Sequence, residues 1–133
     1  MNALVLCAGE GTRDAARALL PKVPATRIVH ADPATLPAAA REAAAHGLDT
    51  VVVVGRFAEL ADAAGGEPVL DEIAAALDAP PPAEWATSGA LGRCGREVCR
   101  RVADTLDIAA VQIVLVDATG RMTGMFGRTA PSR

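Results

Sequence analysis

The chain has 133 residues, a length typical of one domain, and carries a formal net charge of −3 at pH 7. This acidic balance argues against general binding of nucleic acid, and no apolar run approaches the roughly 20 residues that cross a membrane. We expect a single domain over residues 1–133, located in the cytoplasm and without a signal peptide, because the chain start lacks a charged leader region.

Hydrophobic patterning predicts an alternation of strands and helices. In chain order we predict a strand over 3–7, a helix over 14–20, a strand over 26–31, a helix over 36–46, a strand over 50–54, helices over 57–64 and 69–77, a long helix from Thr87 or Ser88 to 106, and strands over 110–116 and 122–126. Four consecutive valines at 51–54 indicate a strand that is buried on both faces.

This order predicts an α/β protein, a single three-layer α/β/α domain with a mainly parallel sheet and a C-terminal antiparallel hairpin. Three prolines at 80–82 predict a stiff connector within the domain, and residues 128–133 are expected to form a loose tail.

The glycine-rich stretch between the first strand and the first helix is the strongest indication of function. Glycine lets the backbone approach a ligand closely, and the N–H groups at a helix start attract anions. Ligands of parallel sheets bind beyond the carboxyl ends of the strands, an edge that also includes Gly55-Arg56 and Ala31-Asp32. The predicted ligand-binding residues are Ala8, Gly9, Glu10, Gly11, Thr12 and Gly55. The same glycines also suit a tight turn without a ligand.

The run Ala8-Gly9-Glu10-Gly11-Thr12-Arg13 resembles the signature loop of the sugar-phosphate and molybdenum-cofactor nucleotidyltransferases. That family follows the loop with a Pro-Lys pair, as Pro21-Lys22 does here, and residues 44–55 look like its next helix and strand. The resemblance covers residues 1–55. It implies that the loop amides hold nucleotide phosphates and that Arg13 and Lys22 are catalytic residues that stabilise the leaving pyrophosphate. It also implies Mg²⁺ as a cofactor, for which Asp117 is the best candidate ligand.

We therefore expect a small nucleotide- or phosphometabolite-binding protein and, if it is an enzyme, a reduced nucleotidyltransferase that acts on a phosphorylated small molecule. The alternative is a non-catalytic domain acting through a homodimer or a partner protein, with the alanine-rich helices and the glycines at 89–95 at the contact. A second glycine-rich stretch, 88–96, also suits an anion site assisted by Arg93 or Arg96. A flavin- or redox-linked module that uses the cysteines is a third option.

The three cysteines are expected to be free thiols. Cys94 and Cys99 are roughly 140° apart around the predicted helix, so they cannot pair without unwinding it. Neither His30 nor His46 lies at metal-ligand spacing from a cysteine. Cys7 ends a buried strand beside the glycine loop, which favours a small buried side chain over a nucleophile. His30 suits an ordinary surface position as well as a site at the sheet edge.

Overall fold

The helices and strands are given by a computed structural model that describes residues 3–48 and 50–128. The strands are β1 Ala3–Ala8, β2 Ile28–His30, β3 Thr50–Gly55, β4 Val111–Val116 and β5 Met122–Arg128. The α-helices are α1 Thr12–Leu19, α2 Leu36–Ala45, α3 Phe57–Ala64, α4 Glu67–Ala76, α5 Trp85–Ser88 and α6 Leu91–Leu106. The predicted α/β class is confirmed.

The five strands form one sheet in the order β2-β1-β3-β4-β5. Strands β1 to β4 are parallel to one another, and β5 returns antiparallel beside β4, so the predicted mainly parallel sheet and C-terminal hairpin are confirmed. The valines predict the centre of this sheet correctly. Strand β3 pairs with β1 on one side and β4 on the other, and Val51, Val52, Val53 and Val54 are all buried.

Two hydrophobic clusters lie on opposite faces of the sheet and are very different in size. The larger cluster joins the sheet to α2, α3, α4 and α6 and includes Trp85. The smaller cluster joins Val5, Cys7, Val52 and other inward residues to Ala15 and Ala16 of α1. In the part of the chain that the structure describes, α1 is therefore the only helix on its face, and the three layers are unequal.

Backbone geometry at glycine explains two differences from the predicted helix bounds. Helix α1 begins at Thr12, before the predicted start, because Gly11 makes the turn with φ 77°. The predicted long helix is divided into α5 and α6 by Gly89, which has φ 81°. Ala90 directly precedes α6, so the predicted start of the long helix at Thr87 or Ser88 was wrong.

The remaining differences involve short irregular segments. Strand β2 is shorter than the predicted strand because Ala25–Arg27 form a 3-10 turn first. Strand β5 continues to Arg128, beyond its predicted end and into the predicted loose tail; residues 129–133 lie outside the described residues.

The three prolines lie beside the domain core. The carbonyl of Pro80 accepts a hydrogen bond of 2.8 Å from the indole N–H of Trp85. The ring of Trp85 is buried and packs edge-to-face on Phe57, with ring centroids 6.0 Å apart.

Candidate functional site

The predicted glycine loop forms a tight turn that is held together by the side chain of one of its own residues, Thr12. Gly9 and Gly11 both have positive φ, at 110° and 77°, where other residues are strained. The hydroxyl of Thr12 donates a hydrogen bond of 2.6 Å to the Gly9 carbonyl, and the Ala15 amide donates to the Gly11 carbonyl at 3.1 Å. Thr12 is buried, so its hydroxyl supports the turn and does not face solvent.

One side of this loop is covered by two residues that follow β3. A methyl group placed on Gly9 would lie 2.7 Å from Oε1 of Glu59 and 3.0 Å from Cγ of Arg56. The guanidinium of Arg56 also donates a hydrogen bond of 3.4 Å to the Glu10 carbonyl. A methyl group on Gly11, by contrast, would meet no atom within 4 Å. The loop is therefore open at Gly11 and covered at Gly9.

A cavity of about 530 Å³ lies at the carboxyl edge of the sheet, next to this covered side. Its lining comes from the glycine loop, the start of α3, the start of α6 and the β4–β5 hairpin. The lining residues are Glu10, Arg56, Phe57, Ala58, Glu59, Leu91, Leu115, Val116, Asp117, Ala118 and Thr123. The sheet edge is the one at which parallel α/β proteins bind ligands. The volume is within the range of about 300–1,000 Å³ that small-molecule sites have.

The charges at this cavity are mixed. Three carboxylates, of Glu10, Glu59 and Asp117, lie with one guanidinium, of Arg56. Helix α3 begins directly after Arg56, its first residues line the cavity, and no side chain caps its first backbone N–H groups. The cavity thus combines a donor-rich helix start with an acidic wall.

Asp117 holds the β4–β5 hairpin in its turn. Its Oδ1 accepts hydrogen bonds from the Thr119 hydroxyl at 2.6 Å, the Thr119 amide at 2.9 Å and the Arg121 amide at 3.1 Å. These bonds, the Thr119 hydroxyl first, keep the pKa of Asp117 below its usual value. One oxygen of the predicted magnesium ligand is therefore already committed to the turn.

The two predicted catalytic residues are at opposite ends of α1. Arg13 is exposed in the first turn, and its charge slightly opposes the rise in the pKa of Cys7 beneath the loop. Lys22 follows the last turn of α1 and lines a small groove with Leu19 and Val23. The eight residues of α1 span about 12 Å, and the residues that line this groove include none from the glycine loop.

The other residues predicted at the sheet edge are either packed inside the domain or exposed on its surface. Gly55 is buried, and a methyl group on it would come within 2.6 Å of Leu60, so glycine is needed there for packing. Ala8 is also buried and pairs with Gly55 across the sheet. His30 and Asp32 are exposed, with Nε2 and Oδ1 3.3 Å apart.

The cysteines are buried and unpaired. Burial raises the pKa of Cys7 to about 11 and that of Cys99 to about 12, and it also raises the pKa of Cys94. The thiols are therefore protonated at neutral pH, which does not suit a nucleophile.

The second glycine-rich stretch serves packing inside the chain. A methyl group on Gly95 would lie 2.8 Å from Cδ2 of Leu115, and one on Gly124 would lie 3.7 Å from the Arg96 amide nitrogen. Glycine at these two positions lets α6 lie close to the β4–β5 hairpin. The Gly95 side of α6 is therefore occupied within the domain, whereas Gly92 has no neighbour within 4 Å of a methyl group placed on it.

The sequence predicted that Arg56 lies at the sheet edge but assigned no role to it, and Glu59 was not predicted as a site residue. The available signal was their position, because the first turn of a helix that directly follows a parallel strand lies at the carboxyl edge. Over residues 3–48 and 50–128, no three His, Cys, Asp or Glu side chains are grouped so that they could hold a metal ion.

Comparison with known proteins identifies no relative of this chain. The sequence matches no protein-family model, and neither curated proteins nor solved structures give a significant match. Across the described residues, none of the helices has the length and apolar character of a membrane span.

Proposed function

We propose that this protein binds a small phosphorylated ligand, with nucleotides as the leading class, in the cavity at the carboxyl edge of the sheet. The observation that carries the proposal is the convergence on one cavity of Glu10 from the glycine loop, Arg56, and the uncapped start of α3. Backbone N–H groups at a helix start and an adjacent guanidinium are the donors that phosphate oxygens prefer.

The acidic wall determines the form in which such a ligand binds. Glu10, Glu59 and Asp117 would repel a bare phosphate, and this repulsion is strongest where water is excluded. A phosphate that carries Mg²⁺ brings positive charge to the same wall. We therefore assign the site a magnesium complex of the ligand, in which the cation arrives with the phosphate.

The proposal concerns binding, and Lys22 has no part in it. A leaving pyrophosphate needs closely placed cations, and Lys22 is separated from Arg13 by the length of α1. Arg56 in the cavity and Arg13 beside the loop supply the positive charge in this proposal.

Thermal unfolding in the presence of nucleoside triphosphates, nucleoside monophosphates and inorganic pyrophosphate, each with and without Mg²⁺, tests the proposal. At a concentration about 100 times Kd, a ligand stabilises the fold by about 2.7 kcal/mol, a shift of several degrees. We expect this shift with Mg²⁺ and a much smaller one with EDTA. Failure of every phosphorylated compound to raise the melting temperature would contradict the proposal.

Three variants locate the site. Arg56→Ala is expected to remove most of the ligand-induced shift, because it removes the guanidinium in the cavity. Glu59→Gln is expected to strengthen binding without Mg²⁺, because it removes a negative charge from the wall. Lys22→Ala is the matched control, since it also neutralises one cation and should leave the shift unchanged. A shift that is lost in Lys22→Ala but retained in Arg56→Ala would place the ligand elsewhere.

A further inference from the structure

The outer edge of β5 is a long strand edge that no other described strand covers. Strand β5 is the last in the sheet order, and within residues 3–48 and 50–128 no strand pairs with its outer side. Its seven residues span about 24 Å, whereas the strand at the opposite edge, β2, has three residues. Short edge strands are protected from pairing by their length, and long ones are not.

Strand β5 has few of the features that usually prevent an edge from pairing. It contains no proline and no lysine, and its single charged residue, Arg128, is the last one. The irregularity in its pairing with β4 is confined to Leu115 and Val116, near the hairpin turn. The remainder of the strand is regular, so its outward N–H and C=O groups can pair with an added strand.

The two faces of β5 have different chemistry. On the face that α1 leaves uncovered, Met122 and Met125 are 53% and 45% exposed. On the opposite face, Phe126 packs into the larger core cluster, and Arg128 reaches Asp104 of α6 at 3.5 Å. A strand added to β5 would meet methionines on one face and the basic side of α6 on the other.

The charges beside this edge are mostly positive. Arg96 is exposed on α6 next to Gly124 and, over the described residues, makes no ion pair. Arg121 is exposed at the hairpin end of β5, where Asp117 is the neighbouring acid. Arg100 is held by Glu97 and Asp104. Arg96, Arg121 and Arg128 therefore line an edge of a chain that is acidic overall.

These charges disfavour a second copy of the chain as the occupant. Two β5 strands paired antiparallel about Met125 would bring Arg128 of each copy close to Arg121 of the other. Like charges that face each other across strands are destabilising. An acidic strand meets no such repulsion.

We propose that the β5 edge binds an extended acidic segment of a partner protein by strand addition. Main-chain hydrogen bonds supply the general affinity, and alternate side chains supply the selectivity. The segment places aliphatic side chains against Met122 and Met125 and acidic ones towards Arg96 and Arg128. Its sequence therefore alternates acidic and aliphatic residues.

Fluorescence anisotropy with a labelled peptide of alternating glutamate and valine tests this inference, with a lysine–valine peptide of the same length as its counterpart. We expect the glutamate–valine peptide to bind, to bind more weakly as salt is raised, and to lose affinity when its amides that face β5 are N-methylated. Binding of neither peptide, or equal binding of both, would overturn the inference.

Two variants with a matched control complete the test. Arg96→Glu should weaken peptide binding about three- to tenfold, since it replaces an exposed attractive pair with a repulsive one. Arg41→Glu, an equal charge reversal on α2, should leave binding unchanged. Analytical ultracentrifugation tests whether a second copy of the chain covers the edge instead. Concentration-dependent dimers that dissociate in Met125→Lys would show that a second copy covers the edge, and the inference would be wrong.

Discussion

Glu59 changes the interpretation of the glycine loop more than any other side chain. Its carboxylate lies against Gly9 and covers that side of the turn. The Thr12 hydroxyl, which would otherwise be a donor to a ligand, is bonded to the Gly9 carbonyl. The hydrogen-bonding groups and one side of the predicted phosphate loop are therefore partly occupied by residues of the chain itself, and the cavity adjoins that covered side.

The buried thiols lead us to predict that the fold loses stability at alkaline pH. Burial raises the pKa of Cys7 to about 11 and of Cys99 to about 12, above the ordinary value of 9.0. In the unfolded chain these thiols ionise from about pH 9, whereas the folded chain keeps them protonated. Their contribution to stability is therefore complete below pH 9 and is lost as the pH rises towards 11 and 12.

Alkylation with iodoacetamide measures this protection. At pH 8 the folded protein should react far more slowly than the protein in guanidinium, where all three thiols become available. Urea unfolding of Cys7→Ala should show a smaller loss of stability between pH 9 and 11 than the parent chain. Rapid alkylation of Cys7 under native conditions would show that the thiol is accessible.

At the scale of the element, α6 organises the larger core. Its inward face includes Cys94, Val98, Val102 and Leu106, all buried without measurable exposure. Its outward face is tied to neighbours by ion pairs, Arg101 to Glu72 of α4 and Arg128 of β5 to Asp104. Arg100 and Arg101 hold the pKa of Glu97 below its usual value. The helix therefore joins α4 to the C-terminal hairpin.

Two glycines in α6 give a matched pair of mutations. Gly92→Ala is expected to stabilise the fold by about 0.5–1 kcal/mol, because alanine is the better helix former and no atom lies near the new methyl group. Gly95→Ala gains the same propensity, but its methyl group would lie 2.8 Å from Leu115, and overpacking of a core costs about 1–3 kcal/mol. We expect a net loss of stability for Gly95→Ala.

Urea unfolding of both variants checks the sign of the difference. The control is internal, since both changes are made in the same helix and add the same group. Equal stabilisation by the two alanines would mean that α6 is not held as closely to β4 as the structure indicates.

Local sequence patterns predicted these elements but not the contacts between them. The valine run correctly predicted the buried centre of the sheet, and the predicted long helix contains the buried positions Val98, Val102 and Leu106 of α6. The contact of Glu59 with Gly9 joins residues that are far apart in sequence, so no local period contains it. The position of Lys22 followed from where α1 ends and where β2 begins, which depends on packing. The nucleotide and magnesium expectations remain predictions.

At the scale of the whole molecule, contacts around the proline segment join it to the rest of the domain. Trp85 bonds to Pro80 and packs on Phe57 of α3, and α4 is tied to α6 by the pair of Glu72 and Arg101. On the other face, the hairpin turn reaches α1, where a methyl group on Gly120 would lie 3.5 Å from Ala15. Both halves of the chain therefore contribute to one set of contacts.

We accordingly predict a single cooperative unfolding transition. The chain has one tryptophan, so its fluorescence reports the surroundings of Trp85, while far-UV circular dichroism reports all helices. The two signals should change together in urea, as two-state unfolding requires. A fluorescence transition at distinctly lower urea would show that the segment around Trp85 unfolds separately.

The central place of β3 in the sheet affects how the protein is made. One of its neighbours, β1, precedes it in the chain, but the other, β4, follows it only after α3, α4, α5 and α6. A ribosome therefore releases the valine strand and the apolar side of α3 before α6 and β4 exist to cover them. Until then the nascent chain presents an open strand edge that can aggregate, and the sheet closes on this side of β3 only once β4 has been synthesised.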